Sequence, residues 1–167
     1  MTIDCLLHHP LVVALDYRAE QDMDNASWCC RVHVPDAEEY EYVRKPPAAR
    51  QAGCPLTAAD VWTLASRWLQ RRGVMVHCTN VGLLEPARRR LWVADITAER
   101  DDRLVLAATY YTRRRRGPAR EKMRRYATSL MEVCQRCYRI RGASMALVNV
   151  YGDGKAEGEF MEFLEEG

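Results

Sequence analysis

Apolar and polar positions change rhythm several times along this chain, and each change marks an element. From residue 57 the rhythm is helical: Val61, Leu64, Ala65, Trp68 and Leu69 recur at i, i+3, i+4, i+7 and i+8, which is one buried face. Thr57 precedes the pattern and Asp60 stands three residues on, a short form of the capping box. Gly73 stands where a helix is commonly closed. The spacing predicts a helix at about 58–72. A second helical stretch runs from about Pro118, a residue suited to the first helical position, to Arg139. Its stripe is Met123, Ala127, Leu130, Cys134 and Cys137, widened by Tyr126, Val133 and Tyr138, and Gly142 is read as its end.

Elsewhere the pattern is that of strands. Leu11–Tyr17, Trp28–Val34 and the alternating Glu39–Arg44 precede the first helix, with turn chemistry at Asp22–Ser27 and a loop at 45–55 opened by Pro46 and Pro47. After that helix come Val74–Cys78, Val81–Glu85, Leu91–Thr97 and Leu104–Tyr111, read as a meander of hairpins with Asp101 and Asp102 at one turn. After the second helix, Ser144–Tyr151 reads as a strong strand. Gly152-Asp153-Gly154 follows as a turn, and 157–164 as an edge strand. The expected fold is α+β: a mixed central β-sheet flanked by two main helices, with an N-terminal antiparallel β portion. The expected organisation is one domain over 1–167, with residues 1–56 as the β portion and 57–167 as the core.

Composition narrows the class. Hydrophobic residues are 48% and charged residues 29% of the chain, which suits a globular protein. No apolar run reaches the roughly 18–20 residues that span a bilayer, so no membrane partner is expected. The first nine residues lack a basic region followed by a long apolar stretch, so no secretory leader is expected. Seven cysteines, an odd number, fit reduced thiols in a cytoplasmic or nuclear, reducing setting.

Charge is distributed unevenly. Residues 1–56 carry a net −4, residues 57–142 a net +11 and residues 143–167 a net −5. The positive charge is nearly all arginine, whose planar fork matches phosphate and carboxylate. Arg113-Arg114-Arg115-Arg116 directly precede the second helix, and Arg120, Lys122, Arg124 and Arg125 follow in its first turns. A helix N-terminus disfavours positive charge, so the arrangement points to an anionic partner such as phosphate. Arg120 and Arg124 stand one turn apart and extend the patch, and Arg88-Arg89-Arg90 form a second cluster. A solvated arginine surface, a localisation signal or an acidic protein partner would fit the same residues.

Two carboxylates stand in apolar surroundings. Asp95 lies beside Trp92, Val93 and Ile96, and strand alternation places it with Val93, opposite Trp92 and Ile96. Glu85 ends the preceding strand and is expected nearby. Such a pair suits Mg²⁺ or Mn²⁺ and phosphodiester hydrolysis, whereas an Asp95 facing water needs no chemistry at all. Cys134-x-x-Cys137 lies on the apolar stripe and reads first as core, then as metal or redox sulfur. His77 and Cys78, adjacent on a strand, point to opposite faces.

From residue 57 onward the layout resembles the RecB-like branch of the PD-(D/E)XK nucleases. That family has a helix, a β-meander carrying an Asp, an acidic-x-Lys element on the next strand, and a helix with Gln-x-x-x-Tyr. Asp95 matches the meander Asp, and Lys122-Met123-Arg124-Arg125-Tyr126 resembles the helix motif with Lys122 in the Gln place. The acidic-x-Lys element would fall at Ala108-Thr109-Tyr110 and is absent. The resemblance implies a nuclease-like domain with a degenerate site, needing no cofactor. If active, it would use Mg²⁺ or Mn²⁺ with Glu85, Asp95, Lys122 and Tyr126. The expected function is nucleic-acid binding, DNA or RNA, through Arg113 to Arg116, Arg120, Arg124 and Arg125, with Trp92, Tyr110 or Tyr111 stacking on a base if exposed. The alternatives are an accessory or inhibitor module that binds a protein partner, including a homodimer, and an active metal-dependent nuclease.

Overall fold

A computed structural model describes residues 3–17, 28–31, 40–43, 56–112 and 119–161. The chain forms a five-residue helix α1 (Ile3–Leu7), then β1 (Val12–Tyr17), β2 (Trp28–Arg31) and β3 (Glu41–Tyr42). The first long helix is α2 (Ala58–Gln70), followed by β4 (Met75–Glu85), β5 (Arg90–Arg100) and β6 (Arg103–Thr112). The second is α3 (Ala119–Tyr138), followed by β7 (Ser144–Tyr151) and β8 (Ala156–Met161). The fold is α+β, with a mixed sheet ordered β2-β1-β4-β5-β6-β7-β8 and β3 added beside β5.

Local chemistry sets the ends of the elements. Thr57 Oγ1 accepts the Asp60 N–H at 3.1 Å, and Asp60 Oδ2 accepts the Thr57 N–H at 2.9 Å. A cap of this kind stabilises a helix by about 1 kcal/mol. Gly73, at φ +77°, turns the chain so that the Val74 N–H reaches Leu69 O at 3.2 Å. At the end of α3 the left-handed residue is Arg139, at φ 52°, rather than the expected Gly142 alone. Asp101 and Asp102, both at positive φ, form the tight turn from β5 to β6.

The sheet is antiparallel from β2 through β6, parallel between β6 and β7, where α3 makes the crossover, and antiparallel again from β7 to β8. Both faces are covered. Val61, Ala65, Trp68 and Leu69 of α2 pack on Ile96, Ala98, Val105, Ala107, Ala146 and Val148. On the other face Met123, Ala127, Leu130 and Cys134 of α3 pack on Leu83, Trp92, Ala94, Leu104, Leu106 and Met145, with Ile3 and Leu6 of α1 alongside. Gly158 of β8 lies beneath Trp68, where a Cβ would come within 2.9 Å of the indole and of Leu147 O.

Several elements differ from the sequence reading. The two strands expected at Val74–Cys78 and Val81–Glu85 are one, β4. Its alternation is broken by a register shift between Val76 and Cys78 and by Asn80 at φ 57°. Of the alternating Glu39–Arg44, residues 40–43 are described, and among them Glu41–Tyr42 is strand, which pairs parallel to β5, not antiparallel. Helix α1 was not expected. Residues 32–34 and 162–164, read as strand, lie outside the described residues, as do the loop at 45–55 and the turn at 22–27.

Candidate functional site

The centre of the molecule is an opening between β5 and β6. These strands pair from Ile96–Arg100 to Arg103–Ala107 and then part. β4 pairs with β5 throughout Arg90–Ala98, so β3, at Arg90 and Leu91, lies on the same edge of β5 as β6. Between these two partners α3 supplies the missing contacts. The Tyr126 hydroxyl accepts the Val93 N–H at 2.9 Å and donates to Val93 O at 2.7 Å. An unmet backbone pair inside a sheet is costly, so Tyr126 acts as a clasp where the ladder stops.

Asp95 closes the other side of the opening. It is fully buried. Its Oδ2 accepts the Thr109 N–H of β6 at 2.6 Å, and its Oδ1 accepts the Trp62 indole N–H of α2 at 3.3 Å. The side chain thus bridges the strands it separates. The alternation of β5 reverses here: Trp92 and Ala94 belong to the α3 face, whereas Ile96 and Ala98 belong to the α2 face. Asp95 therefore lies opposite Trp92, as expected, but shares its side of the sheet with Ile96, which alternation had placed on the other face.

Glu85 is not its partner. The register sets Asn80 between the pairs Thr79–Ile96 and Val81–Ala94, opposite Asp95, and Glu85 lies five positions further along β4. At about 3.3 Å per residue that is roughly 17 Å. Glu85 is also turned to α3: Oε1 accepts the Trp92 indole N–H at 3.2 Å, and Oε2 is paired with Arg136. Glu85 is 1% exposed and Arg136 53%, so the guanidinium covers a buried carboxylate from the surface. That hydrogen bond raises the Arg136 pKa above its ordinary value.

The residues read as a catalytic set thus do not converge. Glu85 and Asp95 hold structure on opposite faces, Tyr126 clasps β5, and Lys122 is exposed one turn earlier on α3. A divalent cation does not fit this arrangement: both Asp95 oxygens already face N–H donors, and Glu85, the other carboxylate of the expected pair, is turned to α3. No cluster of three or more His, Cys, Asp or Glu suited to a metal occurs among the described residues. Cys134 is core: burial, then the neighbouring Cys137, pushes its thiol up to about 12. His77 pairs with Glu99 at 3.2 Å.

The basic surface is placed in part. Arg113 to Arg116 lie outside the described residues, between the end of β6 at Thr112 and the start of α3 at Ala119. Arg120 and Arg124 do share a face of α3, and both meet Glu159 of β8: Arg120 Nη2 to Oε2 at 3.2 Å and Arg124 Nη1 to Oε1 at 3.9 Å. Arg125 is exposed. Of the aromatic residues considered for stacking, Trp92 and Tyr111 are buried and Tyr110 is half-buried. The sequence reading passed over Trp62, Arg136 and Glu159. Trp62 widens the α2 stripe beside Val61, which was a usable signal; the other two act through partners 39 or more residues away and left none.

No helix among the described residues is long and apolar enough to cross a membrane. The sequence matches no family model and no curated protein.

Proposed function

We propose that this protein binds nucleic acid through the basic block that joins β6 to α3, on a PD-(D/E)XK-like domain that has lost hydrolysis. The observation that carries the reading is the position of that block. The four consecutive arginines lie in the segment between Thr112 and Ala119, and exposed Arg120 and Arg125 with half-buried Arg124 continue the charge along α3. Phosphate groups relieve the repulsion that such a run meets at a helix N-terminus.

The order helix, three antiparallel strands, helix, parallel strand supports the family resemblance, as do Asp95 on the middle strand of the meander and Tyr126 on the second helix. The loss of hydrolysis is supported at the same place. Where the acidic-x-Lys element would stand, Thr109 gives its amide to Asp95, so the one retained acid serves the fold. The expected cofactor set is accordingly empty, and cleavage with Mg²⁺ or Mn²⁺ would require ligands other than Glu85 and Asp95.

One observation favours a different class. Glu159 already pairs with Arg120 and Arg124, which is how an acidic protein surface, or a second copy of this chain, would engage them. Binding of short DNA and RNA probes across a salt series separates the readings. Neutralised phosphates give a slope of about −0.9 each on duplex and about −0.7 each on single strands. A protein partner leaves the probes unbound.

A further inference from the structure

Two clefts flank α2, and one guanidinium borders both. The first, about 390 Å³, lies between α2 and β4, with Trp62, Ser66 and Arg67 in its wall. The second, about 330 Å³, lies between α2 and the turn joining β7 to β8; Arg67 and Arg71 border it from the helix and Lys155 from the turn. All three cations are exposed, and none is ion-paired among the described residues. Arg120, Arg124 and Arg136, by contrast, each meet a glutamate of the chain itself.

Folding accounts for only part of this arrangement. A cation at a helix C-terminus is favoured by the macrodipole, which suffices for Arg71. It does not explain Lys155, which reaches the same cleft from another element. Arg67 and Arg71 are like charges one turn apart, a mildly destabilising pair. Glu157, the acidic residue beside the cleft, alternates with Ala156 and Phe160 of the α2 side, and its Oε2 accepts the Tyr151 hydroxyl proton at 2.8 Å. Both walls are fixed before any ligand arrives. The turn is held by Tyr151 N–H to Lys155 O at 2.8 Å and Lys155 N–H to Asp153 Oδ1 at 3.0 Å, with Gly154 at φ +85°. The helix is seated by Trp68 against Gly158.

The geometry points to an anion site in the second cleft, taking a phosphate group between Arg67, Arg71 and Lys155. Two guanidinia supply forked donors and the ammonium a point charge, the combination that suits a tetrahedral oxyanion. The ligand is read by its phosphate and not by a base. Trp68 is 6% exposed, and the Arg72 guanidinium lies 3.7 Å from its ring centroid, so the indole offers no face for stacking. The phosphate belongs either to a small phosphorylated compound or to a nucleic-acid backbone. The site is built from α2 and the β7–β8 turn and does not depend on the function proposed above.

The test is an amide-resolved NMR titration of the full chain with pyrophosphate and, separately, with a short single-stranded oligonucleotide. It is repeated on an R67A/R71A/K155A variant, whose substitutions are all on exposed side chains. Amides of 67–71 and 154–157 are expected to shift. The variant, with its other resonances unchanged, is expected to bind more weakly by about tenfold at the least, since one charge-assisted contact is worth about a factor of ten and three are removed. Shifts with pyrophosphate alone assign a small phosphorylated ligand, and shifts with the oligonucleotide alone assign a backbone phosphate; both support the site. Shifts with neither, or equal affinity in the variant, overturn it. An oligonucleotide that binds both proteins alike and moves only α3 amides overturns the cleft while leaving nucleic-acid binding intact.

Discussion

Replacing Asp95 asks whether its carboxylate is a part of the fold or a ligand held in reserve. In Asp95→Ala two donors lose their acceptor: the Thr109 amide at 2.6 Å and the Trp62 indole at 3.3 Å. Hydrogen bonds to a charged partner contribute about 1.5–3 kcal/mol each, so the pair amounts to about 4 kcal/mol. For a chain of this size 1 kcal/mol moves Tm by roughly 2–4 °C, and the expected fall is about 10 °C. Asp95→Asn keeps one carbonyl oxygen as acceptor but turns an NH₂ group towards a donor, and about 2 kcal/mol is expected. Urea unfolding followed by circular dichroism measures both. The midpoint should fall in the order wild type, Asn, Ala with the slope unchanged. An Asp95→Ala protein as stable as wild type, or more stable, would refute the reasoning, because removing a strained functional group commonly relieves a protein.

Further outcomes follow from the same contacts. Tyr126→Phe removes the clasp on Val93 and should cost about 1–3 kcal/mol by the same unfolding measurement; a change under about 0.5 kcal/mol would mean that water replaces the hydroxyl. Cys134 is raised from near 9 to about 12, so the neutral thiol is the form the fold prefers. Its contribution is complete below pH 9 and is lost between pH 9 and about 12, at about 1.4 kcal/mol per pH unit. Tyr138, also raised, chiefly by burial, adds to the loss above pH 10. In reducing buffer Cys134→Ala should show a shallower alkaline decline; equal slopes would contradict this. Glu159→Gln releases Arg120 and Arg124, and oligonucleotide binding should strengthen with a salt slope steeper by about 1–2. An unchanged slope would mean those arginines contact no phosphate.

What the sequence disclosed, and what it withheld, follows the range of the interactions involved. Helix α2 was legible because both its signals are local: a 3.6-residue apolar stripe and a cap closed within three residues. The stripe of α3, including Cys134, was legible for the same reason. The α+β class with a mixed sheet was legible from the order of elements alone. β4 was read as two strands because Asn80 and the shift near Val76 interrupt a period that the pairing with β5 nevertheless sustains. Asp95 does lie opposite Trp92, as alternation requires, but Ile96 was misplaced because an alternation rule assumes an unbroken ladder. Here Asp95 itself replaces the ladder by accepting the amide of Thr109, 14 residues away. Glu85 looked like its neighbour on the sequence, yet the register carries it to the far end of β4, where Arg136, 51 residues on, covers it. The Lys155 side of the basic cleft was invisible for a like reason, since it depends on a hairpin turn folding back against α2.

The central claim is that the basic block contacts phosphate. Fluorescence anisotropy of labelled DNA and RNA probes across a salt series, comparing wild type with R113A/R114A/R115A/R116A, tests it most directly. Wild type is expected to bind tightly, with an affinity that falls steeply with salt. In the variant the affinity should be lower and the slope flatter by about 3–4 units, four contacts at about 0.7–0.9 each. Absence of binding at low salt, or the same slope in both proteins, would contradict it and leave an acidic protein partner as the better reading of those arginines.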